Sequence, residues 1–465
     1  MTLTDTVASV STPRGKGGVA LLRVSGPDAV AVAERVFEAK NGKPLAEIPA
    51  RMATLGTILI REGDGTRVPV DEALATVFRA PASFTGEDTV ELCCHGGVLL
   101  AETVLTALFA AGARPAGPGE FTRRAFLNGK LGLSSAEALG DLLEAQSRDQ
   151  LLLAHSGMTG KTGRAGDGVY RDLRRVLASV YAVIDYPDED LADLSREEMI
   201  AELEDCAARL RRLADTYRTG HAVAEGVRTV ICGRPNVGKS SLYNRILGRE
   251  AAIVTDVEGT TRDLLTDAAS LGRVTLRLTD TAGLRETEDR VEKIGVERAR
   301  GALEDAELIL AVFDGSTPPT AEDETLIARL RQVPGTVVGV IGKSDLGVAE
   351  ETARFCREAL EHCVILSALT GEGVDRLTGT VEALFTDGTL DLRQDAILTN
   401  ARQNAAVLRA LENTERAAGA LRGGYPVDLC CSDAEAAMAA LGELDGREVS
   451  EELVSEIFSR FCVGK

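Results

Sequence analysis

The chain has no Cys-x-x-Cys pair, no apolar run of membrane length and no excess of basic charge. Its nine cysteines are scattered over 465 residues, with only Cys93-Cys94 and Cys430-Cys431 adjacent. Such spacing offers neither a zinc site nor a disulfide framework and points to reduced thiols. No stretch reaches the ~18 apolar residues of a membrane span. The start, Met1-Thr2-Leu3-Thr4-Asp5, carries neither a basic n-region nor an apolar h-region. A soluble, cytoplasmic protein is expected. Acidic residues number 72 against 52 Lys and Arg, a formal net charge of −20. That balance excludes a protein that coats nucleic acid non-specifically. A specific RNA partner needs basic residues gathered locally, and residues 121–180 hold nine Lys or Arg against six Asp or Glu. The plainer reading of that excess is a solvated helix face.

What is present begins with 44% apolar residues, enough for real cores, and a length that suggests about three domains. Residues 1–119 mix short strand patterns at 19–24, 73–78 and 90–94 with a helix at 99–111, an α+β unit. Residues 120–219 read as helical, interrupted by the glycine-rich stretch 157–168. Residues 220–386 alternate strand and helix, with strands expected at 227–232, 274–279, 308–313, 337–341 and 364–366. Alternation of this kind implies a parallel sheet with helices on both faces. Residues 387–465 are helical again. Two helical blocks flanking a complete α/β segment imply insertion of that segment into one discontinuous helical domain.

The inserted segment carries Gly233-Arg234-Pro235-Asn236-Val237-Gly238-Lys239-Ser240-Ser241. The pattern G-x-x-x-x-G-K-[ST] between strand and helix is a phosphate-binding loop. Its backbone N–H groups cradle phosphates, Lys239 adds a point charge and the Ser240 hydroxyl can ligate Mg²⁺. Four features follow in order: Thr255-Asp256-Val257-Glu258-Gly259-Thr260-Thr261 in a switch position, Asp280-Thr281-Ala282-Gly283 at a strand end, Gly342-Lys343-Ser344-Asp345 at another, and Ser367-Ala368-Leu369 at the last. Thr261 can supply a second hydroxyl to Mg²⁺, Asp280 can hold Mg²⁺ through water, and the Gly283 N–H can meet a γ-phosphate. Asp345 decides the base. A carboxylate accepts from guanine N1–H and N2–H₂, and adenine offers no such pair. The nucleotide is therefore GTP. Gly342 stands where GTPases usually have Asn, which removes a side-chain contact. Leu284 follows Gly283 and cannot orient water, so hydrolysis needs other help. Asn236 can hold a monovalent cation beside the phosphates, doing electrostatically what an arginine finger does.

Several blocks together resemble the MnmE (TrmE) family of tRNA-modifying GTPases. They are Thr12-Pro13-Arg14-Gly15-Lys16-Gly17-Gly18, Ser83-Phe84-Thr85-Gly86-Glu87-Asp88, Glu91-Leu92-Cys93-Cys94-His95-Gly96-Gly97, Gly117-Pro118-Gly119-Glu120-Phe121-Thr122-Arg123-Arg124, Asn400-Ala401-Arg402-Gln403 and the terminal Phe461-Cys462-Val463-Gly464-Lys465, beside the nucleotide motifs. They span the chain. The resemblance implies an N-terminal domain (1–119) that dimerises and binds a folate, a discontinuous helical domain (120–219 and 387–465) and an inserted G domain (220–386). It implies work with the flavoprotein MnmG (GidA) as a heterotetramer. The joint reaction places an aminomethyl-type group on C5 of the wobble uridine of certain tRNAs, with a tetrahydrofolate one-carbon unit and potassium-stimulated GTP hydrolysis. By the same resemblance, 5-formyltetrahydrofolate contacts fall on Arg23, Glu91, Lys130 and Lys465. Potassium ligands fall on Asn236, Thr255, Val257 and Thr260, and magnesium on Ser240 and Thr261. Glu292 orients the attacking water indirectly, and Cys462 is the candidate for the modification chemistry. His95 reads as a folate contact or, more simply, a structural residue. The chain departs from the family pattern at Gly342, Glu258 and Gly132.

The rival is a ribosome-assembly GTPase of the Era/Der kind, an RNA-binding switch without covalent chemistry. It shares the phosphate loop and the Leu after Asp-Thr-Ala-Gly. It also needs a basic RNA-binding module, such as a KH domain with its G-x-x-G loop, which the acidic helical C-terminus does not offer. A GTPase acting only as a sensor or scaffold is a third reading, and it predicts neither folate binding nor altered tRNA.

Overall fold

The computed structural model describes residues 4–185, 194–248, 266–279, 301–426, 428–447, 449–459 and 461–464. They gather into two compact units, one of Met1–Gly140 with Asp445–Lys465 and one of Asp141–Leu444.

The first unit is built on seven strands: β1 (Val7–Val10), β2 (Val19–Ser25), β3 (Phe37–Ala39), β4 (Ala53–Arg61), β5 (Arg67–Phe78), β6 (Thr89–His95) and β7 (Arg114–Pro115), in the order β3-β4-β5-β6-β2-β1-β7. Strand side chains alternate between faces. Leu22, Val24, Ile58, Ala75, Val77, Val90 and Leu92 therefore share one face and form a core with the helices Ala29–Val36 and Val98–Ala110. Arg23 on β2 and Glu91 on β6 take the other face, directly opposite each other in register. The C-terminal helix Glu451–Ser459 packs against Glu120–Leu127, with the Phe126 and Phe458 rings 6.1 Å apart. The tail beyond it is laid on the end of β1. Val463 bridges to Pro118, and the Ser11 hydroxyl donates to the Gly464 carbonyl at 3.0 Å. Gly464 has φ +103, and a Cβ there would sit 2.4 Å from the Val10 carbonyl, so only glycine fits.

The second unit holds a helical core and a second sheet. Lys161–Asp185, Arg196–Asp215, Ala401–Arg422 and Leu429–Asp445 share one apolar core, which unites helices before and after the sheet in sequence. The sheet has β8 (Val227–Cys232), β9 (Thr266–Leu271), β10 (Val274–Thr279), β11 (Leu308–Asp314), β12 (Thr336–Gly342) and β13 (His362–Ile365), in the order β13-β12-β11-β8-β10-β9. Only β9 runs antiparallel to its neighbour. Along β11, Leu308, Leu310 and Val312 enter one core and Ile309, Ala311 and Phe313 the other. Helices Lys239–Leu247 and Val374–Phe385 cover the first face, Ala321–Leu330 and Glu350–Ala359 the second.

The glycine-rich stretch 157–168 differs from expectation. The chain breaks only between Met158 and Lys161, at Gly160 with φ +75, and the next helix runs through Gly163, Gly166 and Gly168. A Cβ on Gly166 would lie 3.0 Å from Leu444, and one on Gly168 would lie 2.8 Å from the Arg209 guanidinium. Those glycines serve close packing rather than a turn.

Candidate functional site

The nucleotide motifs collect at the C-terminal ends of the parallel strands, where open α/β sheets bind ligands. Gly233 follows β8 with φ +149, and a Cβ would stand 2.3 Å from the Val312 carbonyl of β11. Gly238 has φ +106 and caps the helix Lys239–Leu247, and a Cβ there would face open space. Asn236 takes the left-handed conformation, φ +62, which Asn tolerates better than most residues. Val237 is buried, whereas Asn236, Ser240 and Ser241 are exposed. Lys239, Ser240 and Ser241 form the first turn, whose N–H groups have no intrahelical acceptors and favour an anion. The Lys239 ammonium donates to the Gly233 and Arg234 carbonyls, both at 2.9 Å. Burial pushes this amine below its ordinary value, so an incoming phosphate would meet an under-solvated cation. Arg234 donates to the Thr317 hydroxyl at 3.1 Å and lies 3.4 Å from the buried Asp323 carboxylate.

The base side forms at β11, β12 and β13. Lys343, with φ +56, donates to Asp314 Oδ2 at 2.7 Å. Burial alone would push the Asp314 carboxyl up, but hydrogen bonds from Lys343 and Ser316 hold it below its ordinary value. Ser367, fully buried, donates its hydroxyl to Asp345 Oδ1 at 2.6 Å. The Ser344 N–H donates to the Leu366 carbonyl at 3.3 Å. Arg245 donates to the Ala368 carbonyl at 2.7 Å and to the Leu369 carbonyl. The structure thus brings Gly342, Lys343, Ser344 and Asp345 beside Ser367, Ala368 and Leu369. Thr255, Asp256, Val257, Glu258, Gly259, Thr260, Thr261, Asp280, Thr281, Ala282, Gly283, Glu292 and Lys465 lie outside the described residues.

In the other unit, Arg23 donates twice to Glu91 Oε1, at 3.0 and 2.8 Å. Its guanidinium also sits 5.5 Å from the ring centroids of both Phe84 and Phe121, a cation–π arrangement. The loop bearing Phe84 is held by Asn128, which donates to the Thr85 carbonyl at 2.7 Å, and by Ser25, which donates to Glu87 at 2.8 Å. Glu87 also accepts from Arg124, a fully buried cation that further engages Asp5 and Glu120. Lys130 donates to the Pro81 carbonyl at 2.8 Å on the same loop. Cys462 is an exposed thiol whose carbonyl accepts from the Gly119 N–H at 3.3 Å. His95 is tied to Asp71, through its backbone N–H at 2.9 Å and Nδ1 at 2.7 Å, which accounts for it structurally. None of the nine cysteines, all of them described residues, is joined in a disulfide. No described helix is long and apolar enough to cross a membrane.

Three residues escaped the sequence. Asp314 was legible only as the last residue of a buried parallel strand. Arg124 stood only within one of the resembling blocks and Arg245 in none, because nothing in one sequence reveals which carbonyls or carboxylates a long side chain reaches.

The MnmE helical domain family matches residues 133–462, and the family described as GTP-binding protein TrmE N-terminus matches residues 6–130. The tRNA modification GTPase MnmE of Symbiobacterium thermophilum is 43% identical over 463 residues, covering 99% of each chain. Its counterpart in Heliobacterium modesticaldum is 43% identical over 468 residues, again 99% of each. The tRNA modification GTPase MnmE of Lactobacillus delbrueckii subsp. bulgaricus is 39% identical over 461 residues, 99% of this chain and 98% of that one.

Proposed function

Because this chain belongs to the MnmE family of tRNA modification GTPases, we propose that it couples Mg²⁺-dependent, potassium-stimulated GTP hydrolysis to wobble-uridine modification. The product carries an aminomethyl-type group at C5 of the uridine. The flavoprotein MnmG is the partner, the chain is a homodimer through residues 1–119, and the limits 120–219 with 387–465 and 220–386 mark the helical and G domains. The observation that supports this most is the pairing of two chemistries in one chain. One unit offers a glycine-shaped phosphate loop. The other offers a facing Arg23–Glu91 pair under two aromatic rings, beside a tail carrying an exposed thiol.

Each residue has a defined task. Gly233 and Gly238 open the backbone to the phosphates, Lys239 exchanges its carbonyl partners for phosphate oxygens, and Ser240 with Thr261 would hold Mg²⁺. Asn236, Thr255, Val257 and Thr260 would hold K⁺, a fixed charge in place of the glutamine that Leu284 replaces. Glu292 orients water. Asp345 accepts from guanine. When bound, a reduced folate supplies the one-carbon unit. Glu91 can accept from the N–H edge of a pterin, exposed Phe84 can supply an apolar wall, and Arg23, Lys130 and Lys465 suit its anionic tail. Cys462, an exposed thiol, would serve as the nucleophile.

A reconstitution with single omissions tests the whole reading. Unmodified tRNA is incubated with this protein, the flavoprotein, GTP, a tetrahydrofolate carrying its one-carbon unit at the methylene (formaldehyde) level, an ammonium or glycine donor and KCl, and position 34 is read by mass spectrometry. The mass gain is expected only in the complete mixture and should fall sharply when NaCl replaces KCl. Full modification without folate or without GTP overturns the corresponding assignment.

A further inference from the structure

Gly342 leaves the base-recognition strand without the side chain that GTPases usually place there, so something else must hold Asp345 in register. The structure supplies a candidate on the helix that opens with the phosphate loop. Arg245 lies two turns along Lys239–Leu247. Its Nε donates to the Ala368 carbonyl at 2.7 Å, and its Nη2 donates to the Leu369 carbonyl. The turn it grips is closed by its own backbone: the Ser367 N–H donates to the Glu372 carbonyl at 2.9 Å and the Gly371 N–H to the Ser367 carbonyl at 2.8 Å. Within the turn, the Thr370 N–H donates to Ser367 Oγ at 3.2 Å, and Ser367 Oγ donates to Asp345 Oδ1 at 2.6 Å. Donors in series polarise one another and fix orientation. One helix therefore presents its N-terminus to the phosphates and, through a bidentate guanidinium, anchors the turn whose serine aims the base-reading carboxylate.

We propose that Arg245 is a positioning residue for guanine recognition, acting on Asp345 through the 367–369 turn. The inference rests on the GTP reading above and adds which residue holds the base site where Asn is absent. A carboxylate that accepts from both N1–H and the 2-amino group needs its plane set correctly. A base that offers N1–H alone, hypoxanthine, tolerates a misaligned plane. Loosening Arg245 should thus weaken guanine more than hypoxanthine.

The test is calorimetric titration of the full chain with GDP, inosine diphosphate and ADP. Arg245→Met is expected to weaken GDP about tenfold, about 1.4 kcal/mol, and inosine diphosphate by about threefold or less, so that the ratio of the two affinities contracts. Arg245→Lys, still able to reach one carbonyl, should recover part of the ratio and keeps the test open should the Met variant not fold. At saturating GTP the kcat should stay within about twofold while KM rises, because the γ-phosphate end is untouched. Ser367→Ala should contract the ratio in the same way, and adding Arg245→Met to it should change the ratio no further. Equal losses for both nucleotides, an unchanged ratio, or additive effects in the double variant overturn the proposal. A wild type that does not prefer GDP to ADP overturns the GTP reading instead, and so separates the two failures.

Discussion

Gly342 is where this chain differs most instructively from the usual guanine-recognition motif. A Cβ built there would lie 3.4 Å from the Val237 carbonyl and 3.5 Å from the Phe313 carbonyl, ordinary contact distances. The backbone therefore admits a side chain, and Gly342→Asn should place an amide donor within reach of the phosphate-loop carbonyl at Val237. A neutral hydrogen bond of this kind contributes about 1 kcal/mol. GDP affinity should rise severalfold, read by calorimetry, with the GDP-to-ADP preference kept. An unchanged or weaker affinity would mean that the loop already sits at its best distance from β12. At this scale the sequence was most legible where chemistry is bound to motif order, as in Lys239, Ser240 and Asp345. It was least legible where a long side chain decides. Asp314 partnering Lys343 and Arg245 gripping the 367–369 turn depend on tertiary reach, which spacing does not encode.

His221 shows what a single junction can contribute to an element. It sits on the helix Tyr217–Ala224 leading into β8, with Nε2 3.0 Å from Glu307 Oε1 and Nδ1 3.1 Å from Glu225 Oε2. Glu307 directly precedes β11 and accepts the Arg228 N–H of β8 at 3.0 Å. The Arg228 guanidinium stands 3.5 Å from the same carboxylate and the Tyr217 ring 5.4 Å from the imidazole. Contact with Glu225, then with Glu307, pushes the imidazole up from 6.5 to about 9 against the opposing effect of burial. The folded state thus binds a proton that the unfolded chain releases above about 6.5. Because Nδ1 is close to Glu225 without a hydrogen bond to it, the clamp's contribution is on the order of 1 kcal/mol, is complete below that pH and is lost as pH rises through about 9. His221→Gln should lower the unfolding temperature at pH 6 and remove most of the wild type's decline between pH 6.5 and 9, followed by calorimetry. Parallel pH profiles for the two proteins would show the clamp to be inert. Elements themselves were legible in proportion to their burial. β8 and β10 were anticipated residue for residue, β8 from its mostly buried apolar run and β10 from the alternation of buried Val274, Leu276 and Leu278 with exposed Arg277. The half of β5 from Arg67 to Glu72 has no fully buried residue and only Val68 and Val70 as strand-favouring apolar residues around Pro69, too weak a signal to read as a strand.

At the scale of the whole molecule, the described residues form two units, each with its own chemistry, and the chain passes between them after Gly140 and after Leu444. Guanine nucleotide would be read in one unit. The Arg23–Glu91 pair and the Cys462 tail belong to the other. In the proposed function, hydrolysis in the first acts on chemistry in the second through a change in conformation or in assembly. A ligand can drive such a change only by its differential affinity for two states. Nucleotide, Mg²⁺ and K⁺ would supply that difference through the ligands expected in Thr255-Asp256-Val257-Glu258-Gly259-Thr260-Thr261. Pairing of two G domains would then be favoured, because the proposed dimer through residues 1–119 would already hold them at high effective concentration. Glu292→Ala separates the steps. It should bind GTP and 5-formyltetrahydrofolate with wild-type affinity by calorimetry. With a fluorophore pair on the two G domains it should still report approach in KCl with a non-hydrolysable GTP analogue. It should nevertheless fail to turn over GTP and leave position 34 of the tRNA unmodified by mass spectrometry. Modification at the wild-type level by this variant would uncouple hydrolysis from the chemistry, and nucleotide binding alone would then have to set the state of the folate unit.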